Sequence, residues 1–132
     1  MNKITPDKIF DNFPCTIVAT ATALIETKDL TPRKALKQVV DKVIEDDYHR
    51  NGYLSLQNTN KLVRSLLKIK RSGYRYFKRD ERLELKAWQI FYPEGKYIVM
   101  VYGHCIFVDK DNYYSFFDNE DDPVVAYWQI EE

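Results

Sequence analysis

The sequence predicts an α+β fold in which N-terminal helices pack on a twisted antiparallel β-sheet. Before Gly73, apolar residues recur with the three-and-four spacing of buried helix faces. After Gly73, short runs rich in Tyr, Val, Ile and Phe are bounded by turn residues, as strands are. An order of helices followed by a meander of strands is typical of an α+β domain. We therefore expect one domain over residues 1–132, with a helical half over about 1–72 and a sheet half over about 73–132.

Three helices are predicted in the first half. The first covers Cys15 to Glu26, directly after Pro14, and its Ala-rich, β-branched run is apolar on most faces and therefore predicted to be buried. The second begins with Thr31 as the N-cap and Pro32 at the first helical position. The third covers about Thr59 to Ile69, where Leu and Val residues keep helical spacing.

The second half is predicted to be mostly strands, with one short helix. Asp111 and Asn112 are typical of a tight hairpin turn between two of these strands. The predicted elements are, in order, a strand at 74–76, a helix at about 82–91, strands at 96–102, 104–110 and 113–117, and a last strand at 124–130.

Composition excludes several classes of protein. Twenty Lys and Arg residues balance twenty Asp and Glu residues, which argues against a protein whose main role is to bind nucleic-acid phosphate. Two Cys and two His residues are too few for a disulfide-rich scaffold and few for a structural zinc site, so no cofactor or metal is expected. No apolar run approaches the roughly 20 residues of a membrane span, and Met1 to Asp11 does not resemble a signal peptide. We expect a cytoplasmic protein.

Cys15 is the candidate nucleophile. It lies at the predicted N-terminus of a buried helix, where unpaired N–H groups and the helix dipole favour an anion such as a thiolate. His104 directly follows Gly103 at the start of a predicted strand, and Asp118 comes one hairpin later, where it would accept a hydrogen bond from the imidazole. Each residue also has a structural interpretation: a buried apolar cysteine, a packed histidine, and an aspartate in a solvated acidic loop.

The order of these residues resembles that of papain-like cysteine peptidases, and is similar to the small group from phages and bacteria that includes the bacteriocin-leader peptidases. The resemblance rests on FPCTIVATATAL around Cys15 and on EGKYIVMVYGHCIFVDKDNYYSFFDN, which ends near Asp118; the run Tyr127 to Ile130 resembles the closing strand of the family. The matched positions of the second segment are Gly95, Tyr97, Ile98, Val99, Gly103, His104, Val108 and Asp118.

This resemblance implies a papain-like fold and a Cys-His-Asp triad. Cys15 would be the nucleophile, His104 the general base and then acid, and Asp118 the residue that orients the imidazole. Near Cys15 the sequence departs from the family pattern in two places. Pro14 stands where relatives often have Asp or Asn, and no Gln precedes Cys15, which leaves Asn12 as the nearest amide for an oxyanion hole.

The third member of the triad has alternative positions. Tyr114-Ser115 stands where relatives often have a Tyr-Asp pair, so the orienting residue could instead be Asp109 or Asn112. In a regular strand Asp109 lies on the face opposite His104, because five residues is an odd step. By the same alternation Cys105 faces away from the cleft if His104 faces it, and we interpret it as a core residue.

Two further features have structural interpretations. Seven Lys and Arg residues between Lys68 and Arg82 are interleaved with Tyr and Phe, which indicates either nucleic-acid binding or, as we favour, a solvated edge strand. His49 lies at a predicted helix end and is interpreted as a surface residue.

The sequence thus predicts a hydrolase of the cysteine peptidase type, or a related thiol acyl-transfer enzyme. Its substrate would be a protein or peptide. We expect neither a membrane nor nucleic acid as a partner, and no metal or cofactor would take part. The residue bias is that of an AT-rich genome, such as that of a phage or a low-GC bacterium. For a phage protein the location would be the host cytoplasm. The alternative is a catalytically inert papain-like binding module, for example a phage protein that inhibits a host protein.

Overall fold

A computed structural model describes residues 1–46, 54–73 and 82–132 of the chain. In these residues the chain forms four α-helices and a six-stranded mixed sheet. The helices are α1 (Cys15–Lys28), α2 (Pro32–Glu45), α3 (Leu56–Leu66) and α4 (Leu85–Phe91), and a 3₁₀ turn lies at Lys8–Phe10. The strands are β1 (Asn2–Ile4), β2 (Ile69–Gly73), β3 (Lys96–Val101), β4 (His104–Asp109), β5 (Asn112–Tyr114) and β6 (Val124–Ile130).

The sheet has the strand order β1-β5-β4-β3-β6-β2. Strands β3, β4 and β5 form consecutive antiparallel hairpins, and β6 pairs antiparallel with both β3 and β2. The prediction of an α+β fold is confirmed. The prediction of a wholly antiparallel sheet is wrong, because β1 pairs parallel with β5, with Asn2 opposite Asn112. Two strands of the sheet, β1 and β2, therefore come from the half of the chain that was predicted to be helical.

The two faces of the sheet bury separate cores. One face packs against α1, α2 and α3 through residues such as Ile98, Phe107 and Trp128. The other face packs Val99 and Ile106 with residues of α4. Because side chains alternate along a strand, neighbouring residues of β3 and β4 contribute to opposite cores.

Helix α1 is the most deeply buried of the helices. Nine consecutive residues from Thr16 to Leu24 are buried, which confirms the prediction of a helix that is apolar on most faces. The buried Thr20 and Thr22 hydroxyls donate to the carbonyl oxygens of Thr16 and Val18, one turn earlier, so these two hydroxyls are satisfied within the helix. This helix carries Cys15 at its first position, and its packing against β4 fixes where that thiol lies.

The element bounds agree with the sequence where a capping or turn residue marks them. The Thr31 hydroxyl caps α2 by accepting from the Lys34 N–H at 3.3 Å, as predicted. β6 has the predicted bounds, whereas α3 begins and ends earlier than predicted because Ser55 caps it and Leu67 is extended. The strand predicted at 74–76 lies outside the described residues.

The turn between β4 and β5 differs from the prediction by one position. Asn112 is already paired with Asp109 across the hairpin, so the turn residues are Lys110 and Asp111, and Lys110 has a positive φ of 54°. β5 then ends at Tyr114, three residues earlier than predicted. The residues after Tyr114 leave the sheet, and this early exit determines where Asp118 lies.

Candidate active site

Residues from 11–18 and from 104–117 meet in an open cleft of about 640 Å³. Its walls come from residues 11–14, from the first turn of α1, from the start of β4, and from residues 114–117, which begin at the last residue of β5. Cys15 and His104 both line this cleft, as does Asn12. The cleft therefore brings together the predicted nucleophile, the predicted base and the predicted amide.

Cys15 is the first residue of α1, as the sequence predicted. Pro14 occupies the N-cap position with φ −54° and ψ 142°, and no side chain caps this end of the helix. The Val18 N–H is bonded to the Pro14 carbonyl oxygen, whereas the N–H groups of the first helical residues precede the first intrahelical bond. Those donors and the helix dipole are available to stabilise negative charge beside the Cys15 sulfur.

His104 is the first residue of β4. It follows a two-residue turn in which Gly103 has a φ of 77°, a conformation that favours glycine, and it pairs with Val101 across the hairpin. The imidazole lies edge-on against the Phe117 ring, with the ring centroids 5.2 Å apart and the planes at 89°. Burial lowers the pKa of His104 below its ordinary value, and the negative charge of Asp122 partly opposes this effect.

Asp118 does not line the cleft. Its side chain is 88% exposed, and its carboxylate lies 3.0 Å from the Lys3 Nζ on β1. The sequence argument placed it on a strand continuing from β5, but that strand ends at Tyr114. Because the residues between Tyr114 and Asp118 are not a strand, Asp118 does not lie on a strand that continues from β5.

The alternative third members lie at the other end of the β4–β5 hairpin. Asp109 ends β4 and Asn112 begins β5, and the two are paired with each other next to the turn. His104 is at the opposite end of β4. Neither Asp109 nor Asn112 lines the cleft that contains Cys15 and His104.

Asp122 is the carboxylate whose charge acts on His104. It belongs to the 115–122 loop, which we define as residues 115 to 122 between β5 and β6. The Asn119 Nδ2 donates to the Asp122 Oδ2 at 2.7 Å, and the Asp122 N–H donates to the Asn119 carbonyl oxygen at 3.1 Å. The next residue, Pro123, accepts a hydrogen bond from the Tyr102 N–H in the turn before His104. The turn before His104 is thus linked to the end of this loop by a backbone hydrogen bond, and His104 is linked to it by the charge of Asp122.

A buried hydrogen-bond relay connects Asp122 to the wall of the cleft. The Ser115 hydroxyl donates to the Asn119 Oδ1 at 2.5 Å and accepts from the Phe117 N–H at 3.1 Å. Ser115 and Phe117 line the cleft, and the Ser115 and Asn119 side chains are buried. Sequence reasoning missed this relay, because Glu120 to Asp122 was interpreted as a solvated acidic loop. An Asn three residues before an Asp is the sequence pattern that could have indicated it.

Cys105 is confirmed as a core residue and is only 3% exposed. The prediction that it faces away from the cleft is wrong, since Cys105 lines the cleft together with Cys15 and His104. The cleft lies at the end of the sheet where β4 begins, so side chains from both faces of that strand reach it. Burial raises the pKa of the Cys105 thiol strongly, and a negative charge on Cys15 raises it further.

Asn12 lies beside the nucleophile on the chain that leads into α1. Its φ of 66° is a left-handed conformation, which Asn adopts more readily than most residues. The cleft rim on the same side carries Phe13, and Phe117 lies on the rim next to His104. Both rings are exposed, and sequence reasoning had assigned neither of them a role.

Two other predicted features remain, His49 and the basic run from Lys68 to Arg82. His49 and residues 74–79 of the basic run are outside the described residues. In the described part of that run, Lys68 lies 3.6 Å from Glu131, and the Arg71 Nε donates to the Gln129 Oε1. Within residues 1–46, 54–73 and 82–132, no group of three or more His, Cys, Asp and Glu side chains is placed to hold a metal ion.

Comparisons with known proteins identify no relative. No protein-family model, no curated protein and no solved structure matches this chain. Among the described residues, no helix has the length and apolar character needed to cross a membrane.

Proposed function

We propose that this protein is a thiol acyl-transfer hydrolase, of the cysteine peptidase type, that acts on a peptide or isopeptide amide. The observation that carries the proposal is that a cysteine at a helix N-terminus and a histidine at a strand start line the same cleft. A helix bearing the nucleophile packed on a sheet bearing the base is also the arrangement expected of a papain-like domain. The proposed papain-like fold is supported by this arrangement and by the helix and strand order.

The proposed reaction begins at Cys15. Its thiolate attacks the carbonyl carbon of the substrate amide, and the negative charge that develops on the carbonyl oxygen is stabilised by the N–H groups of the first turn of α1. Protonated His104 donates its proton to the departing amine, so the C–N bond breaks and a thioester remains on Cys15. Neutral His104 then accepts a proton from water, and the resulting hydroxide attacks the thioester, which releases the acid and restores the thiolate.

Asp122 takes the electrostatic role that the sequence had given to Asp118. Its negative charge favours the protonated imidazole, which burial disfavours. The relay through Asn119 to Ser115 holds this carboxylate while Asp118 remains paired with Lys3 at the surface. In this arrangement the essential pair is Cys15 and His104, with Asp122 adjusting the charge of the base.

Activity-based profiling with electrophilic peptides tests the proposal. The wild-type protein is incubated with a library of peptide vinyl sulfones or acyloxymethyl ketones, and the adduct is mapped by mass spectrometry. We expect one adduct, on Cys15, and hydrolysis of the matching fluorogenic peptide that is lost in Cys15→Ser. Cys105→Ala is the matched control, because it removes the other thiol and should leave labelling and hydrolysis in place. Labelling of Cys105, or turnover that survives in Cys15→Ser, would overturn the assignment.

A second candidate function is an inert binding module on the same frame. The observation that favours it is the pair of exposed aromatic rings on the cleft rim, since Phe13 is 39% and Phe117 is 62% exposed. Such rings are suited to burying a side chain of a protein partner. If wild type and Cys15→Ser retain the same host protein equally, and no electrophile labels Cys15, the binding module is the better description. Loss of that retention in Phe117→Ala would identify the rim as the contact.

A further inference from the structure

Cys105 is a nucleophilic side chain that the proposed mechanism does not use. It lies on the face of β4 that packs against the helices, because Cys105 and Phe107 belong to the core that contains α1. Ile106 and Val108, at the alternate positions, belong to the core on the other face. The Cys105 thiol is therefore directed to the side of the sheet on which Cys15 lies.

Four observations indicate that the two thiols are near each other. Cys15 packs against the same core cluster that contains Cys105, and both residues line the one cleft. Thr16, the residue after Cys15, lies close enough to Cys105 to lower the pKa of the Cys105 thiol. A charge on Cys15 also changes the proton affinity of Cys105. These are the two cysteines of the chain, and the structure brings them together from positions 90 residues apart in sequence (residues 15 and 105).

We propose that Cys15 and Cys105 form a hydroperoxide-reactive dithiol site that closes to an intramolecular disulfide. Cys15 is partly exposed in the cleft and reacts first, whereas Cys105 is buried and acts as the resolving thiol. A disulfide requires Cα atoms about 4.4–6.8 Å apart, a separation that adjacent thiols on a packed helix and strand can reach. This proposal depends only on the proximity of the thiols and does not rest on the proposed hydrolase.

The chemistry consumes one hydroperoxide for each disulfide. The Cys15 sulfur attacks the terminal peroxide oxygen, the O–O bond breaks, and Cys15 becomes a sulfenic acid while an alcohol or water leaves. The Cys105 sulfur then attacks the Cys15 sulfur, the S–O bond breaks, and the S–S bond forms. The departing hydroxide takes the Cys105 proton and leaves as water. The two thiols lose two electrons together, and the peroxide gains them.

The burial of Cys105 determines the order of the two steps. A buried thiol with a raised pKa is a poor first target for peroxide, because the thiolate is the reactive form. Once Cys15 carries a sulfenic acid, the neighbouring thiol needs to lose its proton only as the hydroxide departs. The disulfide would also block the nucleophile, so oxidation would inhibit any reaction that uses Cys15 until a thiol reductant restores it.

The test treats the reduced protein with one equivalent of hydrogen peroxide. Samples are alkylated under denaturing conditions, digested without reductant and mapped by mass spectrometry. We expect a cross-linked species that joins the Cys15 and Cys105 peptides, a thiol titre that falls from two to zero, and full recovery with dithiothreitol. Cys15 as a sulfinic acid beside an alkylated Cys105, or a Cys15–Cys15 link between two copies, would overturn the proposal.

Cys105→Ala supplies a matched variant with no resolving thiol. Its Cys15 should continue to sulfinic acid, which dithiothreitol does not reduce, whereas wild-type Cys15 is recovered. Equal irreversible loss of Cys15 in wild type and variant would contradict the proposal. The wild-type map needs no variant, so the test holds even if Cys105→Ala folds poorly. Failure to form the disulfide leaves peptide labelling of Cys15 unaffected, so the hydrolase and the dithiol site are judged separately.

Discussion

Removing the Asn119 side chain should loosen the wall of the cleft and lower the stability of the whole domain. Asn119 is buried and joins Ser115 to Asp122 through two side-chain hydrogen bonds, of 2.5 and 2.7 Å. A neutral buried hydrogen bond contributes about 1 kcal/mol and one to a carboxylate about 2 kcal/mol. Asn119→Ala loses both and leaves the Asp122 carboxylate with one donor fewer. We therefore expect the free energy of unfolding to fall by about 3 kcal/mol, which lowers Tm by roughly 10 °C in a domain of this size.

Thermal unfolding followed by circular dichroism measures this effect. The control is Lys3→Ala, which breaks an ion pair to Asp118 in the same loop at the surface. Exposed ion pairs contribute between about 0 and 1 kcal/mol, so this variant should unfold close to wild type. The reasoning is refuted if Asn119→Ala loses no more stability than Lys3→Ala, because the 115–122 loop would then not depend on its buried relay.

Three other predictions concern His104 and the aromatic side of the sheet. Asp122→Asn should lower the pKa of His104, whereas Asp118→Asn should leave that pKa unchanged. Both are measured by NMR from the imidazole proton shifts of His104. A change of the pKa in Asp118→Asn alone would show that Asp118 is the partner. Because burial lowers the folded pKa of His104 below its ordinary value of 6.5, His104 should reduce stability as pH falls from about 6.5 towards the folded pKa, and His104→Gln should flatten that part of the pH profile in urea melts. An equally steep profile in the variant would contradict this. Burial and the Tyr92 hydroxyl raise the pKa of Tyr127 to about 12, so ultraviolet titration should show this tyrosine ionising later than most, and Tyr127→Phe should remove that late step.

The sequence predicted those parts of the fold that depend on local patterns. Thr31 caps α2 because a hydroxyl and a following proline define a helix start, and β6 has its predicted bounds because a branched and aromatic run follows Pro123. The parallel pairing of β1 with β5 could not be predicted, since it joins Asn2 to Asn112 across most of the chain and neither short strand has a distinctive pattern. Such a contact is decided by how the helices and the sheet pack.

The candidate site was predictable to the same extent. Cys15 and His104 were identified because a helix start and a post-glycine strand start are local features with known chemistry. Asp118 was placed by assuming that a strand continued, and the strand ended three residues early at Tyr114. Asp122 was overlooked because its segment has the acidic composition of a solvated loop. In the structure the buried Asn119 side chain holds the Asp122 carboxylate, and burial depends on tertiary packing that the sequence does not show.

The rate at which iodoacetamide alkylates Cys15 tests the central claim most directly, namely that Cys15 and His104 act as a pair. The rate is measured between pH 6 and 7 by peptide mapping, for wild type and for His104→Gln. By taking up the thiol proton, a paired His104 increases the thiolate fraction, so wild-type Cys15 should react at least about tenfold faster than Cys15 in the variant. Equal rates in the two proteins would show that His104 does not act on the thiol, and the proposed catalytic pair would be wrong.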